Sequence, residues 1–327
     1  MSRLTSYVRG AVLAAAWASV SAASGGCGDD GTGPIDPMGP WSRGPELPAA
    51  RLEPGLAALD GELIVAGGFG PGLAIERSLL ALDPVTATWS RGPDLPVAWT
   101  HLQLATVGAT LYALGGLAGT QFVARGEAFA LVDGAWQSRA SMPVGEERGS
   151  AAVVIDPPHV MLLGGASTTD ALASCWAYDT VADTWTALPP LPEPRSHPAA
   201  TITADGTIVV AGGLRTLDST QPMADVIALA PGASTWTARA PMPTARGGCA
   251  YATLDGVLLC AGGEAGALAL DAVEAYDPIA DAWTVRAALP EARAGTQAAT
   301  LGDAVYLAGG AYALRYEPRA TVVVYRE

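Results

Sequence analysis

The chain contains no lysine and no asparagine, and only three phenylalanines and three histidines occur among its 327 residues. All eighteen basic side chains are therefore arginines. Because Asn-linked glycosylation requires an asparagine, that modification is excluded. Acidic side chains exceed basic ones by fourteen, which argues against nucleic acid as a partner and against a polybasic contact with a membrane surface.

Common catalytic and cofactor-binding motifs are also missing. No glycine-rich loop leads into a helix with a lysine, as phosphate binding requires, and neither a Gly-x-Ser-x-Gly elbow nor a Cys-x-x-Cys pair occurs. The sequence therefore predicts no cofactor and favours a protein that is not an enzyme.

A repeat dominates what is present. Glycine pairs recur at intervals of 47 to 50 residues, and a tryptophan recurs at intervals of 47 to 51. Two residue types with one period indicate six copies of a single structural unit. The pairs begin at Gly67, Gly115, Gly164, Gly212, Gly262 and Gly309, and the tryptophans are Trp41, Trp89, Trp136, Trp185, Trp236 and Trp283.

Each unit has the pattern of a small antiparallel sheet. The runs before the glycine pairs are short and apolar without alternation, as in residues 257–261, which is typical of strands buried on both faces. Asp-Gly turns, such as Asp60-Gly61 and Asp255-Gly256, precede three of these runs and indicate hairpins. A third strand and the tryptophan strand complete a four-stranded meander.

This combination of repeat length, double glycine and tryptophan resembles the kelch repeat. The resemblance covers residues 41–327 and implies an all-β, six-bladed β-propeller with one four-stranded antiparallel blade per repeat. Trp41 has no upstream glycine pair, and residues 322–325 have no downstream tryptophan. The strand at Trp41 is therefore predicted to complete the last blade and close the ring, which leaves no unpaired edge.

Arginine recurs sixteen or seventeen residues before the glycine pair in every repeat except the second, which has tryptophan. The resemblance to kelch repeats implies that these arginines lie near the mouth of the central channel. Their guanidinium groups would there form a positive rim for an anionic ligand. Equally open is a structural role, in which the arginines bond backbone carbonyls. Trp99 is either an aromatic platform or part of the core. The set is Arg51, Trp99, Arg148, Arg195, Arg246 and Arg293.

Two residues further along are Glu53, His101 and His197, with Ser150, Gly248 and Gly295 in the other repeats. Alternation along a strand predicts that they point the same way as the arginine set. We include Glu53, His101 and His197 among the candidate ligand-binding residues, although a lone histidine is more often a core residue than a ligand. Because His101 and His197 belong to non-neighbouring blades, no metal site is predicted.

The first forty residues differ from the repeats. Arg3 and Arg9 precede an apolar stretch at residues 10–23, so residues 1–26 are predicted to be an export signal, and residues 27–40 a flexible tether rich in Asp and Gly. Gly26-Cys27 resembles a bacterial lipobox, which implies lipidation of Cys27. Cleavage after Ala22 or Ala23, giving a freely secreted protein, remains the alternative. Either way we expect an exported protein in the periplasm, the outer membrane or at the cell surface.

Three further cysteines lie within the repeats. If Leu254 pairs with Val257, Cys249 lies diagonally opposite Cys260, a spacing of about 7 Å that usually exceeds disulfide reach. A disulfide and two buried thiols both remain open, and Cys175 is expected in the core.

These observations predict a monomeric binding module at the cell envelope. Its channel-mouth rim is expected to bind a protein segment or a glycan, and the arginines favour an anionic one. Some six-bladed kelch propellers are sugar mutarotases, so the alternative is a carbohydrate-active enzyme of that type that uses Glu53, His101 and His197.

Overall fold

The computed structural model describes residues 39–312 and 317–327. The predicted export signal, Cys27 and residues 27–38 of the predicted tether lie outside the described residues. Within the described part of the chain, no helix is long and apolar enough to cross a membrane.

The described residues form six four-stranded antiparallel sheets, as the repeat predicts. The first strand, β1 (Trp41–Gly44), precedes blade one. Blade one comprises β2 (Gly55–Leu59), β3 (Glu62–Ala66), β4 (Leu79–Asp83) and β5 (Thr88–Arg91), with a short 3-10 turn at Pro71–Leu73. Blade two comprises β6 (Gln103–Val107), β7 (Thr110–Ala118), β8 (Val123–Val132) and β9 (Ala135–Arg139).

The next three blades repeat this order. Blade three comprises β10 (Ala152–Asp156), β11 (His159–Leu163), β12 (Cys175–Asp179) and β13 (Thr184–Leu188). Blade four comprises β14 (Ala199–Ile202), β15 (Ile208–Ala211), β16 (Val226–Leu229) and β17 (Thr237–Arg239). Blade five comprises β18 (Ala250–Leu254), β19 (Val257–Ala261), the small loop hairpin β20 (Glu264–Ala265) and β21 (Leu268–Ala269), then β22 (Val273–Asp277) and β23 (Ala282–Val285).

Blade six is built from both ends of the described chain. It comprises β24 (Gln297–Leu301), β25 (Ala304–Ala308) and β26 (Val322–Tyr325), with β1 as its outer strand. Trp41 pairs with Tyr325 and Gly44 with Val322 in an antiparallel register. The prediction that the strand at Trp41 closes the ring is therefore confirmed.

The repeated tryptophans join neighbouring blades. Each lies on the outer strand of its blade, or directly before it in the case of Trp236, and donates its indole N–H to a backbone carbonyl just after the outer strand of the preceding blade. The pairs are Trp41 to Ala287 at 2.9 Å, Trp89 to Pro45 at 3.2 Å, Trp136 to Pro93 at 3.1 Å, Trp185 to Ala140 at 2.7 Å, Trp236 to Pro189 at 3.2 Å and Trp283 to Ala240 at 2.9 Å. The tryptophans therefore recur once per repeat because each one makes the contact between its blade and the preceding blade.

The core lies between the blades. Leu63 and Val65 of blade one pack in one cluster with Ala308 and Val324 of blade six. A single blade has two apolar faces, so stacking around an axis is what removes both faces from water.

The cysteines are free thiols. Cys175, Cys249 and Cys260 are all buried, and none is in a disulfide. Tyr251 pairs with Cys260 and Leu254 with Val257, which is the predicted register. Cys249 and Cys260 therefore act as small buried apolar residues, one of the two alternatives that the sequence leaves open.

Candidate functional site at the channel mouth

Six residues, one from each blade, form a circle around the propeller axis, which we call the axial ring. Its members are Glu53, His101, Ser150, His197, Gly248 and Gly295, and all have left-handed backbone, with φ between 52° and 63°. Five N–H to C=O hydrogen bonds of 2.8–3.1 Å connect them, from Glu53 to Gly295, His101 to Glu53, Ser150 to His101, His197 to Ser150 and Gly248 to His197. The backbone of the ring is therefore fixed by neighbouring blades.

Left-handed backbone favours glycine, and four ring members are not glycine. Such conformations cost free energy and concentrate at functional sites, where the surrounding structure imposes them. Gly248 and Gly295 carry no side chain and Ser150 only a small one. The larger side chains come from blades one, two and four.

Glu53, His101 and His197 converge on one point. One donor atom from each lies within 4.8 Å of the other two, and all three side chains are partly buried. His101 Nε2 is 3.7 Å from Glu53 Oε1, and the two imidazole centroids are 5.3 Å apart. Non-neighbouring blades were expected to keep the two histidines apart. Because the ring is narrow, side chains that point into it lie close together even when they belong to non-neighbouring blades.

Hydroxyl groups fix the tautomer of each imidazole. Thr100 Oγ1 is 3.0 Å from His101 Nδ1 and donates its own proton to the carbonyl of Glu53. Ser196 Oγ is 3.2 Å from His197 Nδ1 and donates to the carbonyl of Thr216. Each hydroxyl has one proton. When that proton goes to the carbonyl, the hydroxyl accepts from an Nδ1–H, and Nε2 of the same imidazole is an acceptor.

A second circle surrounds the first. It consists of the residue after each glycine pair, and each member forms a backbone bridge to the residue before an axial ring member: Phe69 to Leu52, Leu117 to Thr100, Ala166 to Gly149, Leu214 to Ser196, Glu264 to Gly247 and Ala311 to Ala294. Glu264 is its one charged member. A Cβ placed on Gly248 would lie 4.0 Å from Glu264 Cγ, so this carboxyl group borders the axial ring.

Aromatic edges enclose one side of the site. The ring centroids of Phe69 and Phe122 lie 6.2 and 6.3 Å from that of His101, both in edge-on geometry. Two of the three phenylalanines of the chain are thus placed beside one imidazole.

The mouth carries no positive charge at neutral pH from its two histidines. Burial lowers the pKa of His101 to about 3 and that of His197 to about 4, so both imidazoles are neutral. Burial also raises the pKa of Glu53. Burial, together with the nearby charge of Glu53, raises the pKa of Glu264 to about 7. Carboxyl groups and neutral imidazoles therefore set the chemistry of the mouth.

The five arginines do not form a charged rim. Their side chains are at most 3% exposed. Four donate from Nη1 to the carbonyl of the first glycine of their own blade's pair and to a carbonyl beside the third strand: Arg148 to Gly164 and Ser174, Arg195 to Gly212 and Asp225, Arg246 to Gly262 and Ala272, and Arg293 to Gly309 and Thr321. Arg51 bonds the carbonyl of Ala50 and the hydroxyl of Ser78. The arginines therefore have the structural role, in which they bond backbone carbonyls. The prediction that they form a ligand-binding rim is wrong, because guanidinium groups inside the blades cannot face a ligand.

Trp99 is also a core residue. It is fully buried and its ring lies 5.5 Å from that of Phe129. In blade two, β7 continues through Gly115 and Gly116 and stays paired with β8 across a bulge. The strand pairing therefore continues at the position where, in four other blades, an arginine donates to the carbonyl of the first glycine. A tryptophan therefore fits this position, and the aromatic platform is corrected to core packing.

Several residues that support the site were not among the predicted ones, although the sequence holds a signal for two of them. Thr100 and Ser196 each stand directly before a ring histidine, and this repeated hydroxyl–histidine pair is the signal that points to them. Glu264 stands where other blades have Phe, Leu or Ala. Nothing in the local sequence around Phe122 places its ring beside His101.

Comparison with known proteins agrees with this architecture. Residues 101–310 match the KLHDC2/KLHL20/DRC7 Kelch-repeats domain, and residues 50–96 match the Kelch motif. The chain is 34% identical over 154 residues to a Kelch-like protein, terF, of Aspergillus terreus, an alignment that covers 43% of this chain and 33% of that protein. The chain thus spans about a third of the length of that relative.

A solved structure extends the likeness to the fold. That of YjhT superposes with a TM-score of 0.71 at 14% identity, covering 86% of this chain and 96% of YjhT. At this identity the likeness shows the fold alone. Because the family match extends over residues 101–310 and the six blades have the expected form, this chain belongs to the kelch-repeat family.

Proposed function

We propose that this kelch propeller is a binding module that receives the terminus of an uncharged glycan at its channel mouth. The observation that carries the proposal is the convergence of Glu53, His101 and His197 within 4.8 Å. Kelch propellers typically act as interaction modules, and a rigid ring that presents a few polar groups in a concave mouth suits small-ligand recognition.

The charge of the mouth decides between ligand classes. An anionic ligand needs donors of positive charge, and here the guanidinium groups of the five repeated arginines are buried in the blades while both imidazoles are neutral. The carboxyl groups of Glu53 and Glu264 supply no positive charge when protonated and repel an anion when ionised. A neutral ligand therefore replaces the anionic one expected from the arginine pattern.

The donors and acceptors favour hydroxyl groups over peptide groups. The Nε2 atoms of His101 and His197 accept hydrogen bonds, and a carboxyl group accepts or donates according to its proton. A sugar hydroxyl does both. The edges of Phe69 and Phe122 add apolar surface beside these groups, which can contact the C–H face of a pyranose ring.

The test is binding of the full chain to defined neutral and acidic oligosaccharides, measured by calorimetry with a metal chelator present. Glu53→Gln and His197→Asn should each weaken binding by about tenfold, since each removes a hydrogen bond in the mouth. Asn tolerates left-handed backbone, so the second variant is expected to fold.

His159→Asn is the matched control, because His159 is 44% exposed and pairs with Asp179 outside the mouth. Its affinity should equal that of the unmodified chain. Preference for acidic sugars, or retention of peptides and no glycan, would contradict the proposal.

A sugar mutarotase is the second candidate. The specific observation is that a carboxyl group and an imidazole face each other at 3.7 Å, between Glu53 Oε1 and His101 Nε2. Mutarotation needs one group to protonate the ring oxygen and another to accept the anomeric hydroxyl proton. Polarimetry on sugars that bind should then show that the unmodified chain accelerates mutarotation and that Glu53→Gln does not. If sugars bind without acceleration, the protein is a binding module and not a mutarotase.

Location at the cell envelope is part of the proposal. It rests on the sequence of residues 1–27. Labelled palmitate should enter the unmodified chain and not Cys27→Ser. If neither is labelled, the lipid anchor is refuted and free secretion remains.

A further inference from the structure

We propose that Glu53, His101 and His197 form a binding site for one divalent transition-metal ion, of which zinc is the simplest example. Two imidazole nitrogens and one carboxylate oxygen make up this donor set. Such mixed nitrogen and oxygen sets suit zinc and iron(II), whereas calcium and magnesium prefer oxygen alone.

The hydrogen bonds at Nδ1 fit the tautomer that metal binding requires. Thr100 and Ser196 engage Nδ1 of His101 and His197, and each hydroxyl gives its own proton to a backbone carbonyl. Metal-binding histidines in proteins usually donate their second N–H in this way, which orients the ring. In that tautomer, the Nε2 lone pair of each imidazole is free to bind an ion.

The backbone holds the three donors without help from the ion. Glu53, His101, Ser150 and His197 are linked in order by N–H to C=O hydrogen bonds of 2.9–3.1 Å. Their left-handed backbone, with φ of 52°, 56°, 53° and 52°, is the kind of local strain that accompanies binding sites.

The distances need only a small contraction. Donors bound to zinc at about 2.0–2.1 Å in tetrahedral geometry lie about 3.3 Å apart. Here His101 Nε2 and Glu53 Oε1 are 3.7 Å apart, and every pair in the set lies within 4.8 Å. Side-chain rotation has to shorten these separations by at most about 1.5 Å.

The site leaves coordination positions for an outside ligand. Three protein donors are typical of zinc sites with an open position, while structural sites use four. Gly248 and Gly295 complete the ring without side chains, so the open side of the ion would face the channel. A bound ion would add positive charge to the mouth, so this inference concerns a different state of the ring from the metal-free one that is proposed to bind a neutral glycan. Glycan binding is assayed with chelator present, so the inference does not rest on that proposal.

The experiment is titration of the metal-free full chain with Zn²⁺ by calorimetry and with Co²⁺ by visible absorption. We expect one ion per chain and d–d bands of Co²⁺ bound by nitrogen. Glu53→Gln, His101→Asn and His197→Asn should each weaken Zn²⁺ binding more than a hundredfold, because changes beyond the ligands already cost about 10–100-fold. Thr100→Val should cost about 10–100-fold for that reason.

One variant serves as the control and should bind Zn²⁺ as the unmodified chain does. His159→Asn removes the remaining histidine, which pairs with Asp179 and lies outside the converging set. Circular dichroism and melting confirm that each variant is folded. Absence of saturable binding, binding that survives in His101→Asn/His197→Asn, or an equal loss in His159→Asn would each overturn the proposal.

Discussion

At the scale of single residues, the arginines show how one side chain can support two opposite interpretations. A guanidinium group is usually exposed, so a ring of arginines at a channel mouth suggests a charged rim. Here the glycine pair ends the strand ladder and leaves carbonyls unpaired, and a buried arginine donates to them. An unpaired buried carbonyl costs about 1–3 kcal/mol, which explains why arginine recurs with the glycine pair.

We predict that Arg293→Met lowers the free energy of unfolding by about 3 kcal/mol, since Gly309, Thr321 and the Thr321 hydroxyl lose their donors. Arg246→Met should cost more, about 4–5 kcal/mol, because Glu274 stays buried at 2% exposure without its partner. Urea denaturation monitored by tryptophan fluorescence measures both losses.

Arg91→Met is the control for this pair. Arg91 is 65% exposed and binds Asp94 at the surface, so its loss should change stability by less than about 1 kcal/mol. Equal effects of all three substitutions would contradict the assigned role of the buried arginines.

At the scale of elements, β1 is the strand on which ring closure depends. Trp41 is 1% exposed, whereas the equivalent tryptophans of the other blades are only partly buried. Its ring lies 5.0 Å from that of Tyr325 and packs in a cluster shared with blade five. The tryptophan of the closing blade therefore contributes more apolar burial than its equivalents.

Trp41→Ala is expected to lower the free energy of unfolding by about 4 kcal/mol, within the usual range for a buried tryptophan. Trp236→Ala should cost about half as much, because Trp236 is partly buried. Hydrogen exchange by mass spectrometry should also show faster exchange at Val322–Tyr325 in the first variant only. Slow exchange there in Trp41→Ala would mean that β1 does not protect the edge of β26.

At the scale of the whole molecule, closure brings residues near 40 and 326 together. The N–H of Arg326 donates to the carbonyl of Pro40 at 2.9 Å. The two ends of the propeller chain therefore meet inside blade six. Which blade contains them depends on the order of the strands along the chain and not on how the blades pack.

A circular permutant tests this directly. Residue 327 joined to residue 40 by a short glycine-rich linker, with new ends between Val85 and Thr86, should fold and unfold cooperatively, because that turn is exposed. The matched permutant, opened between Val65 and Ala66 in the buried strand β3, should not fold. Circular dichroism and thermal melting distinguish them, and failure of the first permutant would show that closure needs the natural order.

The sequence by itself determined the features that repeat along the chain. Period, blade number and the cysteine register follow from spacing, because strands within a blade pair with their sequence neighbours. The closing strand follows from the unmatched tryptophan at Trp41 and the unmatched strand at residues 322–325. The tertiary structure alone decided what meets across the axis. Glu53, His101 and His197 converge because side chains that point into a narrow ring are close whatever their separation in sequence, and the arginines are buried because the carbonyls that need them lie inside the blades.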